Sequence, residues 1–223
     1  MKLLSSMAPR EVLAELARAY SREHGPPITT EAAGGVEVAK RVQAGEAVDI
    51  VVLAGNAIDK LIAGDKLLAD SRTDLMKCGV AIAVRLGAPV VDIGSEEAVK
   101  RAVLAARTLS YSTGPSGIYL EQLFERWGIM PEIKSRIVVP PPGVPVGSLV
   151  AKEEVEIGFQ QLSELMNLSG ITVLGPLPPP IQTMTTFAGA VARHCQHQGA
   201  ARKVLEFMAT PNMREIMQRY GME

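Results

Sequence analysis

Apolar residues along this chain fall into short buried runs that alternate with helical patterns. Lys2 to Leu4 predicts a short strand ending at Ser5-Ser6. The following segment carries Val12, Leu13, Leu16, Ala17 and Tyr20 at helical spacing, with Pro9 tolerated in the first turn. Gly25-Pro26-Pro27 closes that helix. A second strand is expected near Ile28 to Thr30. Ala32-Ala33-Gly34-Gly35 then leads into a helix with Val38 and Val42 on its apolar face and Gly45 at its end, followed by a buried strand from Asp49 to Leu53. This alternation is the pattern of a mainly parallel α/β sheet flanked by helices, in which ligands sit at the carboxyl ends of the strands.

A helix from Asn56 to Ala63 stops at Gly64, and Leu75 to Val84, carrying Cys78, reads as a long strand crossing between two lobes. The alternation then repeats: helix Glu96 to Ala106, strand Thr108 to Tyr111, loop Ser112 to Ser116, helix Gly117 to Trp127. Strand Ile137 to Val139 leads into Pro140-Pro141-Pro142-Gly143. Further strands are expected at Val155 to Phe159, ending in Gln160-Gln161, and at Ile171 to Leu174. Gly175-Pro176-Leu177-Pro178-Pro179-Pro180 is too rich in proline for either regular element and reads as the return crossover. A strand near Thr183 to Phe187, helices at Gly189 to His194 and Ala201 to Met208, and a final helix from Pro211 capped by Gly221 complete the chain. The expected organisation is two-lobed, with residues 1–78 plus 182–223 in lobe 1, residues 79–181 in lobe 2, and a ligand cleft between them.

Composition narrows the function. Of 223 residues, 47% are hydrophobic and 21% charged, which places the chain with aliphatic globular proteins and not with disordered ones. Twenty-three basic against twenty-four acidic residues leave no basic surplus for a phosphate backbone, so nucleic acid is not an expected partner. The best apolar run, Cys78 to Val91, is broken by Arg85 and Pro89, so no membrane insertion is expected. Met1-Lys2-Leu3-Leu4 runs directly into Ser5-Ser6 without the apolar stretch of an export signal. The expectation is a cytoplasmic chain as written, or a periplasmic one if the natural amino terminus is missing. Two cysteines far apart in sequence, Cys78 and Cys195, make no disulfide framework and leave a single bridge open.

The candidate chemistry lies at strand-to-helix junctions. Ser5 and Ser6 stand at one, where hydroxyls and helix N–H groups can converge on an anion, although taken alone the pair reads more simply as an N-cap. Ser112-Thr113-Gly114-Pro115-Ser116-Gly117 repeats the arrangement in the second lobe, and two such turns together favour an anion site. Gly34-Gly35 could admit a ligand close to the backbone or simply make a tight turn, and Gln160-Gln161 could offer amide donors or stand solvated in a loop. His194, Cys195 and His197 lack the fourth group of a metal site and read as surface helix residues, and Glu153, Glu154 and Glu156 as a solvated face. No GxGxxG, phosphate-loop or Ser-His-Asp pattern occurs, so neither metal nor cofactor is expected.

Five segments, in order, carry a resemblance: LLSSMAPREVLAELARAY, KRVQAGEAVDIVVLAG, YSTGPSGIYLEQLFERWGI, EVEIGFQQLSEL and ARKVLEFMATPNMREIMQRYGM. They resemble the molybdate-binding-protein-like branch of type II periplasmic binding proteins over nearly the whole chain, and GFQQLSEL with VLGPLPPPIQ is similar to the sub-branch that contains aconitate isomerase. The resemblance implies an oxyanion-type site on Ser5 or Ser6, Gly35, Ser116 with Gly117, and Gln161. Gly35 stands where that pattern has a hydroxyl and Gln161 where it has a phenol. Each lost hydrogen bond to a charged ligand costs about 1.5–3 kcal/mol, so a carboxylate fits better than molybdate.

The implied function is a solute-binding protein that presents a small anion, carboxylate or oxyanion, to an ABC permease. The alternative is a cofactor-independent isomerase of an unsaturated tricarboxylate, for which Glu31 is the one acidic residue near an expected site loop and hence the candidate base. A cytoplasmic anion sensor is a third reading.

Overall fold

A computed structural model of the chain describes residues 1–141 and 143–223; Pro142 of the proline run lies outside the described residues. In chain order the elements are β1 (Lys2–Ser6), α1 (Arg10–His24), β2 (Thr29–Ala33), α2 (Gly35–Gln43), β3 (Ile50–Ala54), α3 (Gly55–Ala63), β4 (Thr73–Arg85), α4 (Glu96–Ala105), β5 (Leu109–Tyr111) and α5 (Pro115–Arg126). They continue with α6 (Met130–Ile133), α7 (Val146–Ala151), β6 (Ile157–Gln161), α8 (Leu162–Leu165), β7 (Ile171–Pro176), β8 (Met184–Val191), α9 (Gln198–Met208) and α10 (Arg214–Arg219). Two compact units result, Met1–Cys78 with Thr185–Glu223, and Gly79–Met184.

In the first unit β1 lies between β2 and β3, parallel to both, and β8 closes the order antiparallel to β3. Every residue of β3 is buried, as expected of an aliphatic strand covered on both faces. Helix α1 turns Val12, Leu13, Leu16, Ala17 and Tyr20 inward, and Tyr20 meets Phe207 of α9 edge-to-face. Each such aliphatic side chain contributes about 1.5–3 kcal/mol on burial. The stretch Gly189 to His194, expected as a helix, instead continues β8 to Val191. Its residues are small because α9 presses on the strand: a Cβ at Gly189 would stand 2.4 Å from Leu205 Cδ2.

In the second unit β4 pairs antiparallel with both β6 and β7, and β5 pairs parallel with β6. Alternation along β4 separates two cores. Val80, Ile82 and Val84 face Val99 and Val103 of α4 and Leu120, Leu123 and Phe124 of α5, whereas Ala81 and Ala83 face Leu149, Val150 and Leu165. Ile137 to Val139, expected as a strand, makes only a single parallel bridge, Ile137 to Leu109. The short helix α7, unforeseen in the sequence, packs so closely that a Cβ on its Gly147 would lie 2.5 Å from Leu168 Cδ1. Cys78 and Cys195 are both buried and form no disulfide.

Candidate functional site

The first unit builds its candidate site where β1, β2 and β3 end together and helices begin. Serines 5 and 6 belong to β1 itself, and α1 starts only at Arg10 behind an uncapped Pro9, so neither serine is its N-cap. Alternation sends the two side chains to opposite faces. Ser5 Oγ donates to the Ser6 carbonyl at 3.1 Å. Ser6 Oγ is buried and has no hydrogen-bond partner among the described residues. Ser6 itself lies against the start of α2, its Cβ 3.6 Å from where a Gly35 Cβ would stand. Helix α2 begins at Gly35 behind Gly34, and α3 at Gly55 behind Ala54, each without a side-chain cap. The first N–H groups of such helices have no intrahelical acceptor and carry the positive end of the helix dipole.

Glu31 is placed differently from what a base requires. It sits within β2 opposite Leu4, and its carboxylate is paired with Lys2 at 2.9 Å and with Arg41. Hydrogen bonds from Lys2 first and Arg41 second hold it below the ordinary carboxylate range, which weakens it as a proton acceptor. Glu46 completes this cluster by pairing with the same two cations.

The second unit presents a parallel arrangement where β5 gives way to α5. Ser112 Oγ and Ser116 Oγ share a hydrogen bond of 2.9 Å, Ser116 is buried, Thr113 is exposed, and Gly114 precedes α5 without a side-chain cap. Gly117 is fixed by packing: a Cβ there would stand 1.5 Å from the Ser112 carbonyl oxygen. Gln160 and Gln161 end β6 on opposite faces, and both are buried. Gln160 is occupied within the fold, accepting from Gly147 N–H at 3.3 Å and donating to Glu164 at 2.8 Å. Gln161 stands immediately before α8. Ser110, one pleat below Ser112, also holds a buried hydroxyl with no partner among the described residues.

Sequence reasoning missed Arg72 and Gly55. A Gly55 Cβ would stand 3.1 Å from Arg72 Nη2, so the guanidinium lies against the first residue of α3. No sequence spacing signals this, because seventeen positions separate the two residues and only tertiary packing joins them. A separate hollow of about 350 Å³ opens at the opposite end of the first unit's sheet, lined by Glu46, Asp49, Lys66, Arg193 and His194 among others. Several of its charges are already engaged: Glu46 with Lys2 and Arg41, Arg193 with Asp65, and Asp49 with the Cys195 thiol. No group of three or more residues suited to holding a metal occurs among the described residues.

Parallel strands delivering uncapped helix starts and buried hydroxyls are an arrangement from which α/β proteins build ligand sites. The chain belongs to the bacterial extracellular solute-binding proteins, matching that family over residues 1–223, and it shares the fold of solved periplasmic binding proteins. It is 35% identical to the aconitate isomerase of a Pseudomonas species, an alignment covering 100% of this chain and 87% of that protein. Among solved structures it is similar to the periplasmic molybdate-binding protein of Azotobacter vinelandii (TM-score 0.83, 17% identity, 100% and 98% of the two chains). It is also similar to the sulfate-binding protein SubI of Mycobacterium tuberculosis (TM-score 0.81, 14% identity, 100% and 85%). No helix among the described residues is long and apolar enough to cross a membrane.

Proposed function

We propose that this solute-binding protein holds a small organic carboxylate in preference to a tetrahedral oxyanion and delivers it to an ABC permease. The observation that carries the reading is Ser6, whose buried hydroxyl has no hydrogen-bond partner among the described residues and whose Cβ lies against the uncapped start of α2. A buried hydroxyl left unbonded costs about 1–3 kcal/mol, a deficit that an anionic acceptor removes. Exposed aliphatic residues support an organic ligand: Val36 follows Gly35 and Ile118 follows Gly117, each in the first turn of its helix. By the sequence resemblance, Gly35 and Gln161 take positions that carry a hydroxyl and a phenol in the molybdate-binding pattern, which agrees with a different ligand. The second unit, taken by itself, carries the linked hydroxyls of Ser112 and Ser116 before α5.

Isothermal titration with molybdate, sulfate, citrate, tricarballylate and trans-aconitate tests the proposal. Carboxylate binding that is tighter than molybdate binding supports it, and submicromolar molybdate affinity with no carboxylate response sinks it. The 35% identity to an aconitate isomerase favours a second reading, interconversion of unsaturated tricarboxylates. Proton NMR of trans-aconitate with the purified protein distinguishes the two, because binding without appearance of the cis isomer leaves solute binding as the function.

A further inference from the structure

Arg72 is the strongest feature of the first unit that the reading above leaves unused. Asp59 accepts from its Nε at 2.6 Å and Asp74 from its Nη1 at 2.9 Å. These two bonds fix the guanidinium plane and leave Nη2 outside both ion pairs. That nitrogen is the atom 3.1 Å from the position of a Gly55 Cβ, with the Thr186 carbonyl oxygen 3.7 Å from the same point. Gly55 directly follows Ala54, the last residue of β3, and Ala54 pairs with Phe187 of β8, so Nη2 reaches the same strand ends as Ser6. Strand β3 is the hydrogen-bonded neighbour of β1, and paired strands lie about 4.8 Å apart. Helices α2 and α3, which start at the ends of β2 and β3 on either side of β1, pack against each other.

The juxtaposition places the Arg72 guanidinium beside one uncapped helix start, with a second uncapped start nearby against which Ser6 packs, its buried hydroxyl unbonded among the described residues. The Nη2 N–H donors, on the side of Arg72 not hydrogen-bonded to Asp59 or Asp74, and the helix-start N–H groups at these strand ends suit a ligand that carries two negative groups a few ångströms apart. Molybdate or a monocarboxylate presents one such group. A glycine at 55 leaves the guanidinium room to lie on the helix start, which a larger residue would deny it.

We infer that Arg72 is a specificity-determining residue that pairs with a second carboxylate of a di- or tricarboxylate whose first carboxylate is held by Ser6 and the start of α2. This rests on the anion-binding reading of the same strand ends and narrows it to polycarboxylates. Guanidinium–carboxylate pairing is directional and charge-assisted, and its loss is expected to weaken binding roughly tenfold to hundredfold.

The test is isothermal titration of the full chain and of Arg72→Gln and Gly55→Ala with tricarballylate, butyrate and molybdate, alongside thermal melts without ligand. Both substitutions are expected to weaken tricarballylate by that factor while leaving butyrate and molybdate unchanged. Gly55→Ala is the control for folding, since α3 begins there without a left-handed backbone and alanine is a better helix former. Its ligand-free melting temperature should hold or rise. Unchanged tricarballylate affinity in both variants overturns the assignment, as does an equal loss for all three ligands. Wild-type protein that binds butyrate or molybdate but not tricarballylate removes the Arg72 inference and leaves anion binding standing. Wild-type protein that binds none of the three removes both.

Discussion

Replacing Gly35 with serine puts a hydroxyl back where the resemblance to molybdate-binding proteins expects one, and the structure states what this should do. A Cβ at position 35 would meet Ser6 Cβ at 3.6 Å and Leu53 Cδ2 at 3.9 Å, both ordinary contacts, and the residue is not in the left-handed region. The side chain therefore fits without moving its neighbours. Losing a glycine at a compatible site restricts the unfolded chain and stabilises by about 0.4–1 kcal/mol, so the ligand-free protein should melt slightly higher. A hydroxyl bonded to an anion contributes about 1.5–3 kcal/mol, which raises molybdate affinity roughly tenfold to 150-fold. The same side chain occupies space beside Ser6, so tricarballylate should bind more weakly and the ratio of the two affinities should shift by more than either alone. Titration calorimetry of both proteins with both ligands, at one pH and ionic strength, reads the ratio directly. An unchanged molybdate affinity in a folded Gly35→Ser protein would refute the placement of Gly35 at the ligand. A lower melting temperature would refute the claim that the position is open.

Three further outcomes follow from the same geometry. Ser6→Ala should weaken the bound anion about tenfold while leaving the ligand-free melt unchanged or higher, since the alcohol it removes has no partner among the described residues; a clear loss of ligand-free stability in thermal melts contradicts this. Gly189→Ala should destabilise the fold by about 1–3 kcal/mol in urea, because its methyl group would overlap Leu205 Cδ2 at 2.4 Å and crowd Leu75 Cδ1 at 3.1 Å; wild-type stability would mean that α9 is free to retreat. Arg41 first and Lys2 second bring Glu46 down to about 2 from an ordinary 4.5. A group whose folded value is depressed contributes stability above the unfolded value and loses it as pH falls, so Glu46→Gln should flatten the decline of the urea midpoint between pH 4.5 and 2. Equal slopes in the two proteins would show that the ion pairs do not persist in solution.

Much of the architecture was readable because its signals are local. Ile50 to Leu53 is an unbroken aliphatic run, and such a run between helical patterns admits little besides a buried parallel strand. The errors fall where local signals conflict. Ala188-Gly189-Ala190-Val191 carries small residues that suit either element, and only the approach of α9 decides for strand. Helix α7 spans a single stretch of six residues containing a glycine, too short for a periodicity to declare itself. At the site, the hydroxyls and glycines were visible as residue types at strand ends, but two points were not. Ser6 and Gln161 lie inside their strands, so the alternation that separates them from Ser5 and Gln160 depends on register. Arg72 acquires its place from Asp59, Asp74 and Gly55, which only the folded chain assembles.

Gly35 and Gly117 look alike in the sequence, each opening a helix after a strand, yet they differ in latitude. The first faces ordinary contacts and can accept a side chain, whereas at the second the Ser112 carbonyl occupies the space that any other residue would need. Divergence of ligand preference in a scaffold of this kind therefore has one door open and one shut. A library built to retune the protein should randomise position 35 and hold 117 constant. Diversity spent at 117 would be lost to chains that cannot close the turn, and would report on folding, not recognition.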